Sequence, residues 1–159
     1  MFNFFKKKKE VVFPVFDLLE ASPNKDKYFR RSASWDWMNE EVIYVTDPNN
    51  PRMLTMDPWP QPIFLHANGM GTIAEFVYYM AGEYGKDNPC PKDLDDQILD
   101  VIDKLAQDDL LSITDRQSEL PYYWALPMSE QDTEKAKKLM IEDALLCTCA
   151  PRLCGGFCA

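Results

Sequence analysis

The sequence predicts an α+β protein in which a three-stranded antiparallel meander is followed by three helices, an additional C-terminal helix and a flexible tail. Two periodicities lead to this prediction. Apolar and polar residues alternate in short runs between residues 28 and 57, and apolar residues recur at helical spacing between residues 73 and 105. The tail is predicted from composition, because four of the five cysteines lie within the last thirteen residues.

Three candidate strands lie in the first half of the chain, at residues 28–35, 41–46 and 52–56. The last two are separated by Asp-Pro-Asn-Asn-Pro at residues 47–51, and these residue types favour a tight chain reversal. A proline-rich connector follows, and then a short helix is expected at residues 63–67. The strands therefore form a meander that leads into the helices.

Two amphipathic helices are predicted after the meander. Residues 68–72 read as a tight turn, after which Thr72 and Glu75 form a capping box that starts the first of these helices. Gly85 is placed for a left-handed C-cap of that helix, and Asp93 for the N-cap of the next one. The second helix has an apolar face that consists of Leu94, Ile98, Val101, Ile102 and Leu105.

The central domain is expected to end at residue 115, after a short strand at residues 110–113. Residues 116–146 then hold an extended aromatic strap and a C-terminal helix, which a capping box of Ser129 and Asp132 opens. Residues 147–159 form the cysteine-rich tail. The tail has one charged side chain and many small residues, so it cannot build a core of its own.

The formal charge of −9 is unevenly distributed along the 159 residues. Residues 1–31 carry +4, including four lysines at residues 6–9, and the remainder carries −13. An acidic body repels phosphate, so duplex nucleic acid is a poor partner. Residues 1–27 are interpreted as an N-terminal arm, a strand or short helix that covers the open side of residues 28–115. The four lysines are a solvated run or contact an acidic partner.

The sequence also predicts the compartment. No apolar run approaches the roughly 20 residues of a spanning helix, and the order of apolar and basic residues at the start does not fit a secretory signal. We therefore expect no membrane span and a cytoplasmic location, where cysteines are normally reduced.

The chemistry-bearing residues do not predict an enzyme. His66 is the single histidine and has no evident partner, so it is interpreted as a structural residue. No phosphate-binding loop, nucleophile elbow or zinc-protease motif is present in the sequence. One helix is rich in carboxylates, which are interpreted as a solvated face: Asp95, Asp96, Asp100 and Asp103.

The order of these elements resembles the PqqD-like family, the small winged-helix domains that recognise precursor peptides of ribosomally made, post-translationally modified natural products. The matching segments are residues 52–57, 68–76 and 99–111, within a resemblance that covers residues 28–115. Two departures are mild. Asn68 stands where the family commonly has Asp, and Met56-Asp57 stands where it usually has Leu-Asn. The resemblance implies a winged-helix-like fold and a binding module.

In that family a leader peptide adds as a strand to the open edge of the meander and lies in the cleft beside the third helix. The resemblance therefore implies a receiving edge formed by Met53, Leu54, Thr55 and Met56. The residues that it implies for the nearby helix are Ile98, Val101, Ile102 and Leu105. An ordinary core role remains the alternative for each of these side chains.

Three interpretations of the tail stay open. In the first, the chain is a precursor protein whose body recruits a modifying enzyme of the radical or metal-dependent oxidative type, with a protease or exporter as a further partner. The residues modified would be Cys147, Cys149, Cys154 and Cys158. In the second, the same four thiols hold zinc or copper as the only cofactor, and the protein is a soft-metal carrier or a stand-alone peptide-binding chaperone. In the third, the tail is a redox-labile or incidental extension, and the domain alone performs the function.

A winged-helix transcription factor is the alternative from another functional class. It requires basic residues on the recognition helix, to contact phosphate and base edges. Lys104 is the only basic residue between Asp93 and Leu111, so the sequence disfavours this function.

Overall fold

The computed structural model describes residues 13–85 and 88–149. In these residues it has six α-helices and two small antiparallel sheets of three strands each. In chain order the elements are α1 (Asp17–Ala21), β1 (Tyr28–Arg31), β2 (Trp35–Trp37), β3 (Ile43–Thr46), β4 (Met53–Thr55), α2 (Pro60–His66), β5 (Asn68–Thr72), α3 (Ile73–Gly82), α4 (Leu94–Gln107), β6 (Leu111–Thr114), α5 (Tyr122–Ala125) and α6 (Thr133–Cys149). The α+β class is therefore confirmed.

The sheet β2-β3-β4 is a three-stranded antiparallel meander, but its first strand, β2, shares only Trp35 with the candidate strand at residues 28–35. The candidate strand at residues 28–35 is divided between the two sheets, because β1 pairs with β5 and β6 in the order β5-β1-β6. The chain crosses between the sheets at residues 32–34. Ser32 N–H still donates to Leu110 O beside β6, whereas Ser34 O accepts from Thr46 N–H of β3.

Residues 68–72 form strand β5 and not the isolated turn that the sequence suggested. β5 pairs with β1 through Tyr28 opposite Thr72 and Arg30 opposite Asn68, with a bulge between these two pairs. Gly69 has a φ of +77° at the bulge, a conformation that favours glycine. The Asn-Gly pair therefore marks an irregular strand, and its turn-like composition reflects the bulge.

The starts of α3 and α4 lie where the sequence predicts them, whereas α2 begins at Pro60, three residues before its predicted start. Thr72 and Glu75 form the expected capping box of α3. The predicted left-handed C-cap at Gly85 is wrong, because α3 ends at Gly82 and Glu83 is the C-cap in a right-handed conformation. Asp93 occupies the N-cap position of α4, but its carboxylate accepts from the side chain of Gln97 and not from a backbone N–H.

The described part of the N-terminal arm belongs to the core. Phe16 and Leu19 are 1% and 0% exposed, and α1 packs on α4. The carboxylate of Asp95, itself buried, accepts the backbone N–H groups of Leu18 and Leu19 at 3.1 Å each. This carboxylate satisfies N–H groups that the short helix cannot pair itself. Helix α1 of the arm thus packs against α4, and residues 1–12 lie outside the described residues.

The aromatic strap is not extended, because α5 interrupts it. The buried guanidinium of Arg31 holds this helix by donating to the carbonyl oxygens of Trp124 at 2.7 Å and Ala125 at 2.9 Å, and to that of Leu65 in α2 at 2.7 Å. Burial lowers the pKa of Arg31 to about 10. Arg31 thus anchors the strap, and Trp35 Nε1 also donates to Trp124 O at 3.2 Å.

The C-terminal helix begins and ends later than predicted. α6 starts at Thr133, where Asp132 Oδ1 accepts from Lys135 N–H, and it continues to Cys149. Ser129 does not take part in a capping box, since its hydroxyl and N–H donate to the carboxylate of Asp36.

One hydrophobic core joins both sheets and the first four helices. Within the described ranges, no helix is both long enough and apolar enough to cross a membrane. The largest side chains that are fully buried are Phe16, Leu19, Phe29, Ile43, Val45, Ile63, Phe64, Ile73, Val77, Leu94, Ile98 and Ile102.

Candidate functional site

Within the residues that the structure describes, strand β4 forms an open edge of the sheet β2-β3-β4. In its register with β3, Leu54 lies opposite Val45, and Met53 and Thr55 are its neighbours in the strand. Asp47 N–H donates to Arg52 O and Met56 N–H donates to Ile43 O. Hydrogen-bonded and non-bonded pairs alternate in antiparallel sheets, so Leu54 uses its backbone groups towards β3. The backbone N–H and C=O groups of Met53 and Thr55 therefore point to the open edge.

The opposite edge of this sheet is covered. A short 3₁₀ turn at Met128–Glu130 packs beside β2. The carboxylate of Asp36, which is 8% exposed, accepts from the N–H of Ser129 at 2.8 Å and from its hydroxyl at 2.7 Å. An added strand would therefore pair with β4 and not with β2.

A shallow apolar groove of about 450 Å³ lies beside β4. Met53 is 68% exposed, Met38 is 55% exposed and Trp37 is 42% exposed. Exposed apolar side chains grouped in this way are typical of protein-binding surfaces. The residues that line the groove are Trp37, Met38, Tyr44, Met53 and Thr55.

Side-chain hydrogen bonds hold the turn at residues 47–52, before β4, in place. The buried carboxylate of Asp47 accepts from Arg52 Nε at 2.7 Å and from Asn49 N–H at 2.8 Å. These hydrogen bonds, that of Arg52 first, lower the pKa of Asp47 to about 2. Asn49 Nδ2 also donates to Asp109 Oδ2 at 2.9 Å, just beyond α4. The start of β4 is thereby held next to the C-terminal end of α4.

The structure exposes only part of the predicted receiving edge. Met53 and Thr55 are exposed, Leu54 is half-buried against the core, and Met56 is 7% exposed. This alternation matches a strand that has one face on the core. Two of the four predicted residues therefore present side chains to a partner in this conformation.

The predicted helix residues are mostly core. Ile98 and Ile102 are 0% and 1% exposed, Leu105 is 7% exposed, and Val101 is half-buried. They cannot line an accessible cleft in this conformation, which corrects that part of the prediction. The reason is that α1 and α2 pack on α4 and cover its apolar face.

Trp37, Met38 and Tyr44 line the groove but were not predicted from the sequence. Tyr44 lies directly opposite Thr55 in the register of β3 and β4, and the others lie at the end of β2. The one sign of the groove in the sequence was Tyr44, an aromatic residue on the face of β3 that points away from buried Ile43 and Val45. A single sequence does not show which edge of the meander is left open.

The cysteines fall into two groups. Cys147 and Cys149 lie within the last turn of α6, so this turn belongs to the helix and not to the predicted tail. Cys154 and Cys158 lie outside the described residues. Among the residues that are described, no group of three potential ligands is arranged to hold a metal ion.

Helix α6 is attached to the body near its middle. The hydroxyl of Tyr123 donates to Asp143 Oδ2 at 2.8 Å, and Ala136 is 6% exposed. Met140 and Ile141 are 40% and 61% exposed, so this part of the helix is only partly covered. After Asp143, the helix continues to Cys147 and Cys149.

His66 lies in an aromatic cluster. Its ring centroid is 4.6 Å from that of Tyr79 and 5.1 Å from that of Phe76, and burial lowers its pKa. The carboxylate of Glu75, which borders the same cavity of about 180 Å³, accepts from Thr72 N–H in the capping box. This arrangement supports the structural role that the sequence suggested for His66.

The comparisons with known proteins assign no family to this chain. No family model, curated protein or solved structure matches this chain.

Proposed function

We propose that this protein is the precursor of a ribosomally synthesised, post-translationally modified peptide. Its folded body is a recognition domain that recruits a modifying enzyme, and its C-terminal cysteines are the modified residues: Cys147, Cys149, Cys154 and Cys158. The observation that carries the proposal is the open edge of β4 beside an exposed apolar groove.

An open edge next to an apolar groove suits the binding of an extended peptide segment. The free backbone groups of Met53 and Thr55 supply hydrogen bonds that do not depend on the partner's sequence. The groove beside Trp37 and Met38 supplies pockets for alternate side chains of the partner, and hence specificity. The partner in this proposal is an extended segment of the modifying enzyme or of a peptide bound to it.

The order of the elements supports a PqqD-like interpretation. A meander leads into α2, and α3 and α4 follow with β6 directly after α4, where a wing strand is expected. β6 pairs with β1, which also pairs with β5 immediately before α3. We infer a winged-helix-like arrangement of these elements, with α1, α5 and α6 as additions.

The cysteine-rich C-terminal end is a suitable substrate for a modifying enzyme. Tethering to the body raises its local concentration near a docked enzyme to roughly the millimolar range. Thiolates are strong nucleophiles and accept several kinds of covalent modification. A DNA-binding function is disfavoured, because Lys104, the one basic side chain of α4, is already paired with Asp100 at 2.6 Å.

Mass spectrometry of the full chain, produced together with the products of the genes beside its own, tests the proposal. Fragmentation should locate a mass change within residues 147–159 and leave Cys90 unmodified. An unmodified tail that holds stoichiometric zinc or copper would contradict the proposal and favour a metal carrier. An unmodified tail without metal would leave the body acting alone as a peptide-binding chaperone.

A variant of β4 tests whether the open edge recruits the enzyme. Thr55→Pro removes an N–H that points away from β3, so the sheet keeps its own hydrogen bonds while an added strand loses one. We expect a lower yield of modified tail, with a circular dichroism spectrum like that of the unaltered protein. Thr55→Val keeps the N–H and is the matched control. Equal yields from both variants would contradict recruitment through β4.

A further inference from the structure

We propose that the N-terminal segment of this same chain occupies the β4 edge in the free protein. In this arrangement residues 2–5 add as a strand beside Met53 and Thr55, and the lysines at residues 6–9 lie along the acidic side of α4. The inference rests on the docking edge proposed above and names its resident occupant.

The segment leaves the described body close to the start of α4. The rings of Phe13 and Phe16 both contact Tyr78 of α3, at centroid distances of 5.7 and 5.6 Å. Two residues after Phe16, Leu18 N–H donates to Asp95 in the first turn of α4. The described chain therefore begins, at Phe13, near this end of the α3–α4 pair.

The distances along the segment match the distances along the body. Helix α4 has 14 residues and so is about 21 Å long. Residues 6–9 lie four to seven residues before Phe13, which is about 13–23 Å of extended chain. Residues 2–5 reach about 26–36 Å, beyond the far end of α4. There Asn49 donates to Asp109 and holds the start of β4 in place.

The charges are complementary over this path. Asp96, Asp100 and Asp103 are exposed and follow each other at helical spacing on α4. The helix carries one basic side chain, Lys104, which contacts Asp100. Four consecutive lysines at residues 6–9 are complementary to the negative charge that remains on this side of α4, where one ammonium faces three carboxylates.

The aromatic residues of the N-terminal segment precede its lysines, and this order matches a groove that lies beyond the far end of α4. Phe2, Phe4 and Phe5 precede the lysines, and they correspond to the end of the path where Trp37 and Met53 are exposed. Covering an open edge strand also prevents uncontrolled pairing with other chains. An enzyme that docks at β4 must then displace the segment, so its access depends on competition with residues 2–9.

Zero-length crosslinking of the full chain tests the path of the lysines. A carbodiimide joins an ammonium to a carboxylate that it contacts, and Lys104 with Asp100, 2.6 Å apart, is the internal positive control. We expect crosslinks from residues 6–9 to Asp96, Asp100 or Asp103, with a yield independent of protein concentration. Their absence beside a formed control crosslink would overturn the proposal. Crosslinks between isotopically distinct copies would assign the edge to a second copy and also overturn it.

Hydrogen exchange tests the added strand. The combined variant Phe2→Ser, Phe4→Ser and Phe5→Ser should speed exchange of the Met53 and Thr55 amides by about tenfold, which corresponds to about 1.4 kcal/mol of docking free energy. Asn3→Ser leaves the three aromatic residues intact and should not change the rate. Equal exchange rates in both variants would overturn the proposal.

The two proposals fail in different ways. If the N-terminal segment does not dock, the crosslinks and the exchange difference are absent, while Thr55→Pro still lowers modification of the tail. If the recruitment proposal is wrong, the crosslinks form but Thr55→Pro and Thr55→Val give equal modification.

Discussion

Gly69 shows how one residue shapes the first sheet. A Cβ at this position would collide with the carbonyl oxygen of Ser118, and the backbone has a φ of +77°. Ser118 N–H also donates to Gly69 O at 3.1 Å, so the link after β6 lies directly against β5. The absence of a side chain is what permits this close approach.

Replacing Gly69 by alanine should destabilise the protein by at least about 2 kcal/mol, because the new Cβ adds left-handed strain and a backbone collision. Gly71→Ala is the matched control, since its Cβ would find its nearest neighbour, Glu75 Oε2, at 3.7 Å. Urea unfolding midpoints measure both effects. Similar losses in the two variants would show that the contact with Ser118 is not tight.

Protonation of the Asp47 carboxylate should weaken the hydrogen bonds that hold the turn before β4. Its pKa is about 2 in the folded protein, against an ordinary value of 3.8. Because the folded pKa is lower, the carboxylate contributes stability above about pH 4, and the contribution is lost as pH falls from about 4 to about 2.

The stability difference between the unaltered protein and Asp47→Asn should therefore shrink as the pH is lowered. Urea unfolding from about pH 6 to about pH 2.5 measures this difference. Asp57→Asn, at an exposed position after β4, is the control. A difference between the unaltered protein and Asp47→Asn that stays constant over this range would contradict the role assigned to the hydrogen bond from Arg52.

At the scale of elements, the shortest helices and strands depend on the elements that pack against them. α1 has five residues and could not persist alone, because helix nucleation is costly. It is held by burial of Leu19 and by the Asp95 carboxylate. β4 has three residues, and its importance lies in the edge that it leaves open.

Replacing Asp95 by asparagine should loosen α1 and destabilise the fold by about 1–3 kcal/mol, because a buried acceptor of two backbone N–H groups is weakened. Asp96→Asn, its exposed neighbour, should change stability by less than about 0.5 kcal/mol. Unfolding midpoints give the free energies, and faster exchange of the Leu18 and Leu19 amides would locate the change. Equal effects of the two substitutions would show that Asp95 does not hold the arm.

At the scale of the whole molecule, charge and cysteines are separated along the chain. The arm carries the excess of positive charge, the body is acidic, and the thiols cluster at the C-terminal end. Helix α6 connects the body to this end through the hydrogen bond between Tyr123 and Asp143. This separation permits a body that binds proteins and an end that is chemically modified, as we propose.

The sequence by itself determined the α+β class, the last two strands of the meander and the start of α3. These features depend on local rules, such as alternation in β3 and the reciprocal hydrogen bonds of Thr72 and Glu75. The apolar face of α4 was also readable, and its residues Ile98 and Ile102 are buried.

Only the tertiary structure decided which of these features reach the surface. Burial of Ile98 depends on α1 and α2 packing over α4, and the division of residues 28–35 depends on strands far along the chain. Which edge of the sheet stays uncovered is likewise decided by Ser129, which donates a hydrogen bond to Asp36 and covers the β2 edge. Such contacts join residues that are distant in sequence, so local periodicity carries no information about them.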